Sequence, residues 1–262
     1  MIFIKNLIWI YFILLLFEGA FRKWISPGIS TELLIVRDPI VIWIYILSIK
    51  QNVYPFQNKY LYTLLAITLV FALISLSFLD THWATVGYGL RTNVLHFPLI
   101  FIIGRVMAIE DVINVGKFIM IIALPMTFIV TEQFQAEREN IINVGVGGTG
   151  HQMETSGGKI RASGTFSFVS GIVFFYCFTI AFVIHGFLTK NLYPKLLPYL
   201  GAAATLLAMV TAGSRSVIAD CLQVLGCFAF LAIIRPSEFG RITASLLGIF
   251  VVAGILYYQV DL

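Results

Sequence analysis

Long apolar runs constrain what this chain can fold into more than any other feature of its sequence. Two of them, 60–79 and 166–188, contain no Asp, Glu, Lys or Arg at all. A helix needs about 20 mostly apolar residues to cross the hydrocarbon core of a bilayer. The strands of a membrane β-barrel would instead alternate in polarity. The runs therefore predict transmembrane α-helices.

Composition excludes the main alternative classes. The 262 residues are 59% hydrophobic and only 11% charged, whereas soluble domains are about 45–50% apolar and about 25% charged. A single soluble core cannot absorb that much apolar surface. The net charge of +4 comes without a clustered basic run, so no nucleic-acid partner is expected.

The predicted architecture is all-α, a polytopic transmembrane helical bundle that forms one domain over 1–262. Its connections are short except for 132–165, a polar and glycine-rich segment that we expect to be a long outer loop. Loops of this length are commonly either functional or disordered. The runs of spanning or nearly spanning length are nine: about 2–17, 33–49, 60–79, 92–108, 112–131, 166–188, 196–212, 217–234 and 242–258.

Two motifs in polar segments have simple interpretations. The string GVGGTG at 145–150 matches G-x-G-x-x-G, but a dinucleotide site needs that string between a strand and a helix. We therefore predict a flexible connector there. The string EGAFRKWISPG at 18–28 has a charged and an aromatic side, which predicts a short interfacial helix for membrane anchoring or substrate docking.

No cofactor or metal is predicted. The three cysteines form no CxxC pair, and the four histidines are scattered along the chain. Metal sites in proteins usually show a characteristic ligand spacing, which is absent from this pattern. His96 and His185 are expected to make hydrogen bonds between helices.

The number of basic residues does not decide the orientation of the chain in the membrane, since eight Lys and Arg fall on each predicted side. We therefore use the type of basic residue. Five of the eight lysines lie on one face and six of the nine arginines on the other. Lysine is an ordinary solvated anchor, whereas arginine suits bidentate capture of phosphate or carboxylate. We assign the lysine face, with the amino terminus, to the cytoplasm, and the arginine face to the outside.

Four arginines at the outer level form the candidate binding site. Arg37, next to Asp38, is expected four to six residues inside the second helix, where an ionisable pair indicates a functional site. Arg91 is expected to open the fourth helix. Arg161 lies where the long loop returns to the membrane, and Arg215 lies in the turn before the eighth helix. Asp38 and Asp220 are expected to orient these arginines, while the catalytic group is not identified.

Three strings give the chain a family resemblance. They are FEGAFRKWISPGISTELLIVRDPIVIWIY at 17–45, RASGTFSFVSGIVFF at 161–175 and TAGSRS at 211–216. With the helix spacing around the long loop, they resemble the bacterial O-antigen ligase and polymerase family, membrane glycosyltransferases of surface polysaccharide such as lipopolysaccharide. Members of this family are larger and carry a second large periplasmic loop. The resemblance therefore implies an N-terminal fragment, or a reduced member, with an incomplete catalytic centre.

The resemblance implies a metal-independent enzyme of the bacterial inner membrane. Its donor would be a polyprenyl-pyrophosphate-linked oligosaccharide, and its acceptor another lipid-linked glycan or lipid A–core. The lipid tail would lie between helices while the four arginines hold the pyrophosphate. Ligase and polymerase both remain open. Two alternatives also stay open: a transporter or flippase of anionic lipid-linked glycan, and a membrane glycosyltransferase of the GT-C type.

Overall fold

The computed structural model describes residues 1–78, 81–155, 157–189, 191–234 and residue 240. The described residues form helices, turns and two isolated antiparallel bridges in the long loop, and no strand. The all-helical prediction is confirmed for this part of the chain. The predicted ninth run, 242–258, lies outside the described residues.

Ten α-helices follow one another along the described chain. Shorter π and 3₁₀ turns continue or connect several of them, notably the π turns Phe21–Ile25 and Arg91–His96. The bounds are α1 Ile2–Ala20, α2 Ser30–Leu33, α3 Asp38–Lys50, α4 Lys59–Phe78, α5 Trp83–Leu90, α6 Leu99–Val106, α7 Ile109–Gln135, α8 Val169–Leu188, α9 Leu197–Thr211 and α10 Arg215–Ile234.

Five helical segments of the described chain are long and apolar enough to cross a membrane. They are Ile2–Ile25, Lys59–Ser77, Trp83–Val106, Ile109–Gln135 and Val169–Leu188. Two further predicted runs form shorter helices, since α3 has 13 residues and α9 has 15. The segments of spanning length make this an α-helical membrane protein.

Two helix starts differ from the sequence-based prediction. Asp38 is the first residue of α3 and is followed by Pro39. The helix begins here because proline fits the first turn of a helix, where its missing N–H is not needed. Arg37 and Asp38 therefore lie at the start of that helix and not inside it. Arg91 was expected to open the fourth helix, but it lies within the span Trp83–Val106.

The chain forms two compact units. Unit 1 consists of residues 1–15 and 34–109, and unit 2 consists of 16–33 together with the described part of 110–262. In unit 1 the first half of α1, α3 and α6 share an apolar core in which Ile4, Ile44 and Ile102 are completely buried. The helices α4 and α5 pack against each other in the same unit.

In unit 2, α8 packs against α9 and α10, and α10 also contacts α9. Gly116 of α7 and Gly201 of α9 have no room for a Cβ, because side chains of α8 lie within 3 Å of that position. A hydroxyl network also joins the three helices. Thr127 donates to the Ala204 carbonyl oxygen at 3.1 Å, and its hydroxyl lies 2.7 Å from that of Tyr176. Close backbone approach and buried hydrogen bonds thus hold this helix group together.

Candidate functional site

Lys23 ties the end of the first span to the segment 161–167 within unit 2. Its Nζ donates to Ser163 Oγ at 2.9 Å and to the Gly164 carbonyl oxygen at 2.6 Å. The residue is only 2% exposed, and its ammonium lies 4.5 Å from the centroid of the Trp24 ring. A buried ammonium is tolerated only when its donors are satisfied, so these contacts fix the turn at 163–164.

Arg22 makes a second connection to the same segment. Its Nη1 donates to Ser167 Oγ at 2.9 Å, and its Nε donates to the Ser30 carbonyl oxygen at 2.8 Å. The Glu18 carboxylate lies 3.5 Å from Nη1, one helical turn earlier. Arg22 and Glu18 are both buried. The short separate helix predicted at 18–28 is not seen, because residues 18–25 continue α1 through its π turn and the charged side chains of Glu18 and Arg22 are buried in unit 2.

The backbones of the two segments are in direct contact. Gly19 leaves no space for a Cβ, since the backbone at 165–167 occupies that position. Thr165 Oγ1 donates to the Leu16 carbonyl oxygen at 2.6 Å. A glycine is needed where two backbones approach this closely, so Gly19 sets the distance between the first span and the segment 161–167.

Two glutamines hold the turn from the loop side. The Gly164 amide donates to Gln133 Oε1 at 2.8 Å, and the side-chain amide of Gln133 donates to the Ile142 carbonyl oxygen at 3.0 Å. Ser163 donates from both its backbone amide and its hydroxyl to Gln152 Oε1, at 3.1 and 3.0 Å. Because both sides of the turn are hydrogen-bonded, the position of the neighbouring Arg161 backbone is fixed.

The glycine-rich string at 145–150, predicted as a flexible connector, forms a hydrogen-bonded turn that contacts other segments of unit 2. Gly145 donates its amide to the Gly150 carbonyl oxygen at 3.1 Å, and Gly147 has a φ of +83°. The turn Val146–Gly148 lies against the segments Phe21–Ile25 and Pro27–Ile29. Neither a strand nor an α-helix flanks the string, so the context of a dinucleotide site is absent.

The third string of the resemblance, 211–216, joins the same region. The Ala162 amide donates to the Ala212 carbonyl oxygen at 3.0 Å. Gly213, with φ +62°, lies so close to Ile160 that a Cβ would be 2.6 Å from its carbonyl oxygen. The segment 161–167 therefore contacts both the end of the first span and the turn between α9 and α10.

We call the place where the end of the first span, the segment 161–167 and the turn 211–216 meet the junction. An open cavity of about 350 Å³ lies beside the junction in unit 2. It sits where α8 and α10 begin, and its lining combines one arginine, one carboxylate and three hydroxyls with an apolar wall. The lining residues are Arg161, Asp220, Ser170, Ser214, Ser216, Met153, Val169, Val173 and Phe174. Arg215 stands between two of the lining serines but is not itself part of the lining. The first turns of two helices and a guanidinium make this cavity suited to an anion.

A second polar cluster lies inside unit 1. Arg91 binds Asp38 with two hydrogen bonds, Nε to Oδ2 at 2.5 Å and Nη2 to Oδ1 at 2.6 Å. His96 Nε2 lies 3.3 Å from the same carboxylate, and its Nδ1 lies 3.2 Å from the Tyr11 hydroxyl. Arg37 donates to that hydroxyl at 3.5 Å. His96 thus joins the first span to the fourth predicted one, as expected of a histidine between helices.

The four predicted arginines are distributed over both units. Arg37 and Arg91 belong to the Asp38 cluster of unit 1, while Arg161 and Arg215 belong to the cavity region of unit 2. Their convergence on one site remains a prediction. Asp38 contacts Arg91, whereas no ion pair joins Asp220 to an arginine in the part of the chain that the structure describes.

Sequence reasoning missed the residues that hold the junction. Arg22 and Lys23 were assigned to the membrane surface, and Gln133 and Gln152 were not singled out. A usable signal was the position of the Arg-Lys pair at the end of an apolar run, directly before Pro27 and Gly28. The partners of this pair lie about 140 positions later in the chain, which no local pattern can reveal.

Comparisons of the chain with protein-family models, with curated proteins and with solved structures give no match. The described residues also contain no group of three His, Cys, Asp or Glu side chains placed to hold a metal ion. The class that the fold defines is that of an α-helical membrane protein, with a cavity lined by one arginine and one carboxylate where α8 and α10 begin.

Proposed function

We propose that this protein binds a polyprenyl-pyrophosphate-linked oligosaccharide at the outer face of a bacterial plasma membrane, in the manner of O-antigen ligases and polymerases. The glycan would be transferred to a hydroxyl of another lipid-linked glycan or of lipid A–core. One observation carries the proposal: the three strings of the family resemblance, far apart in sequence, meet at one junction beside the cavity that Arg161 lines.

The chemistry of the cavity agrees with a pyrophosphate ligand. Arg161 offers a planar fork of N–H donors that matches pairs of phosphate oxygens. Ser214 and Ser216 add hydroxyl donors beside the first turn of α10. Positive charge placed next to the leaving pyrophosphate would stabilise the charge that develops when the glycosidic bond to phosphate breaks. In this proposal arginines, and not a metal ion, take up that charge.

The proposal includes a topology. Nine spans over a single domain would place the amino terminus in the cytoplasm and the loop 132–165 in the periplasm. The sorting of lysines and arginines between the two faces supports this orientation. Arg37, Arg91, Arg161 and Arg215 would then face the same side and contribute to one donor site, with Asp38 orienting Arg91.

The test uses the purified chain in lipid nanodiscs and in proteoliposomes, with a radiolabelled polyprenyl-pyrophosphate oligosaccharide. We expect saturable retention of the label in nanodiscs, competed by inorganic pyrophosphate. A new glycosidic product formed with a lipid-linked acceptor would also support the proposal. Absence of retention would contradict it. Movement of intact label across the proteoliposome bilayer would contradict it as well, in favour of a transporter.

A further inference from the structure

Asp220 is the one feature of the unit 2 cavity that an anion site does not explain. Its carboxylate lines the same cavity as Arg161. In the described part of the chain it has neither a hydrogen bond nor an ion pair, with Arg161, Arg215 or any other residue. A carboxylate beside a phosphate site weakens phosphate binding by repulsion between like charges. A site for phosphate alone would therefore be better without Asp220.

The placement of Asp220 follows from the geometry of α10. Ser216 and Asp220 are four residues apart on that helix, so they lie on one face, and both line the cavity. On α8, Ser170, Val173 and Phe174 have the same type of spacing and line the cavity from the other helix. The cavity thus has a polar side on α10, and a mixed side on α8 with apolar groups next to a hydroxyl.

This arrangement fits a ligand that combines a phosphate with hydrogen-bond donors. A pyranose ring carries adjacent hydroxyls, and two of them can donate to the two oxygens of one carboxylate. Such charge-assisted hydrogen bonds are roughly twice as strong as neutral ones. Val173 and Phe174 offer apolar surface to the C–H faces of the ring. A cavity of about 350 Å³ is at the small end of the usual size for ligand sites, about 300–1,000 Å³.

We propose that Asp220 recognises the sugar next to the donor phosphate by accepting hydrogen bonds from its ring hydroxyls, while Arg161 holds the phosphate. The inference rests on the proposed function and adds a substrate class to it. The sugar attached to the phosphate is a neutral hexopyranose with free ring hydroxyls. A uronic acid at this position is excluded, because its carboxylate would face that of Asp220 in the same cavity.

The test measures dissociation constants of soluble probes for the full chain in nanodiscs. The probes are inorganic phosphate, inorganic pyrophosphate, the 1-phosphates of glucose, galactose, mannose and N-acetylglucosamine, and glucuronic acid 1-phosphate. We expect one or more of the neutral sugar phosphates to bind about ten- to hundredfold more tightly than phosphate, which corresponds to one charged hydrogen-bonding group. Glucuronic acid 1-phosphate should bind at least tenfold more weakly than glucose 1-phosphate.

Two variants assign the preference to Asp220. In Asp220→Asn the preference for sugar phosphate over phosphate should fall at least tenfold, and the discrimination against glucuronic acid 1-phosphate should disappear. Glu110→Gln removes one exposed carboxylate from the first turn of α7 and should leave both ratios unchanged. Ratios of probe affinities within one variant do not depend on how much of the protein is folded.

The outcomes separate this inference from the proposed function. If phosphate and pyrophosphate bind but no sugar phosphate binds more tightly, or if Asp220→Asn keeps the preference, the role of Asp220 is wrong and the anion site stands. If neither phosphate nor pyrophosphate binds the wild-type chain, the proposed function fails and the inference fails with it.

Discussion

Asp38 binds Arg91 with both carboxylate oxygens, at 2.5 Å from Nε and 2.6 Å from Nη2, although the two residues are 53 positions apart. Arg91 also donates to the Leu34 carbonyl oxygen at 2.8 Å. The pair connects the start of α3 to the π turn that links α5 and α6. Such π turns are frequent at functional sites, and this one brings Arg91 and His96 to the same carboxylate.

The first prediction concerns that pair. Arg91→Lys keeps the charge but cannot reproduce the bidentate geometry, so the half-buried Asp38 would lose a charged hydrogen bond. We expect a loss of about 1.5–3 kcal/mol in the free energy of unfolding, measured by denaturation of the purified protein in detergent. Arg105→Lys is the matched control, because Arg105 is exposed and donates to the backbone carbonyl oxygens of Val53 and Tyr54. Equal losses in both variants would contradict the prediction.

The second prediction concerns Lys23. Lys23→Met fills a similar volume but removes the ammonium that donates to Ser163 Oγ and to the Gly164 carbonyl oxygen, which keeps the longer hydrogen bond from Gln133 Nε2 at 3.5 Å. We expect faster amide hydrogen exchange at 162–167 and a loss of roughly 1–3 kcal/mol in the free energy of unfolding. Lys195→Met, at an exposed position in unit 2, should change neither quantity. Unchanged exchange at 162–167 in Lys23→Met would show that this contact does not hold the turn.

The third prediction uses two glycines in the same stretch of sequence. Gly19→Ala would force a Cβ into the backbone at 165–167, whereas Gly28→Ala meets no atom within 4 Å. Overpacking of this kind costs about 1–3 kcal/mol, and sometimes more. Thermal unfolding should therefore occur at a clearly lower temperature in Gly19→Ala than in Gly28→Ala. A Gly19→Ala variant as stable as the wild type would mean that the two segments are not in contact.

The fourth prediction tests the orientation. Ile141 is 80% exposed in the long loop, and Gln51 is exposed after α3. An impermeant thiol reagent applied to intact cells should label Ile141→Cys and leave Gln51→Cys unlabelled until the cells are opened. The parent chain, with its three cysteines, gives the background. Labelling of Gln51→Cys alone in intact cells would reverse the proposed orientation.

Run length and hydropathy predicted most of the helices. The run 60–79 became Lys59–Phe78, and 166–188 became Val169–Leu188, because continuous apolar sequence in a membrane protein has few alternatives to helix. Helix starts were less predictable. The fourth predicted run began at 92, but the helical segment begins at Trp83, since the polar residues around Arg91 are accommodated by contacts with Asp38 and Leu34.

The candidate site was only partly predictable. The sequence singled out Arg161 and Asp220, which line one cavity, because charged residues at helix ends are visible in a hydropathy pattern. The sequence placed Lys23 at the surface, because a hydropathy pattern cannot show that its ammonium is buried by hydrogen bonds to Ser163 and Gly164. The sequence also indicated no partner for the glycine-rich string, whereas Val146–Gly148 contacts Pro27–Ile29 and Gly145 is hydrogen-bonded to Gly150.

The shared arginine site has its own test. If Arg37, Arg91, Arg161 and Arg215 all hold the donor pyrophosphate, each single Arg→Lys variant should weaken donor binding in nanodiscs by about ten- to hundredfold. Weakening confined to Arg161→Lys would restrict the site to unit 2. Effects confined to Arg37→Lys and Arg91→Lys would instead place donor binding in the Asp38 cluster.

We propose that Arg161 binds the pyrophosphate of a lipid-linked glycan, and a comparison of three dissociation constants tests this role. The dissociation constant of a radiolabelled polyprenyl-pyrophosphate oligosaccharide is determined for the wild type, for Arg161→Lys and for Arg138→Lys in nanodiscs. Arg138 lies in the same loop, pairs with Glu154 at 3.1 Å and is 54% exposed, so its variant is the control. We expect about ten- to hundredfold weaker binding in Arg161→Lys and wild-type binding in Arg138→Lys. Wild-type binding in Arg161→Lys would contradict this role.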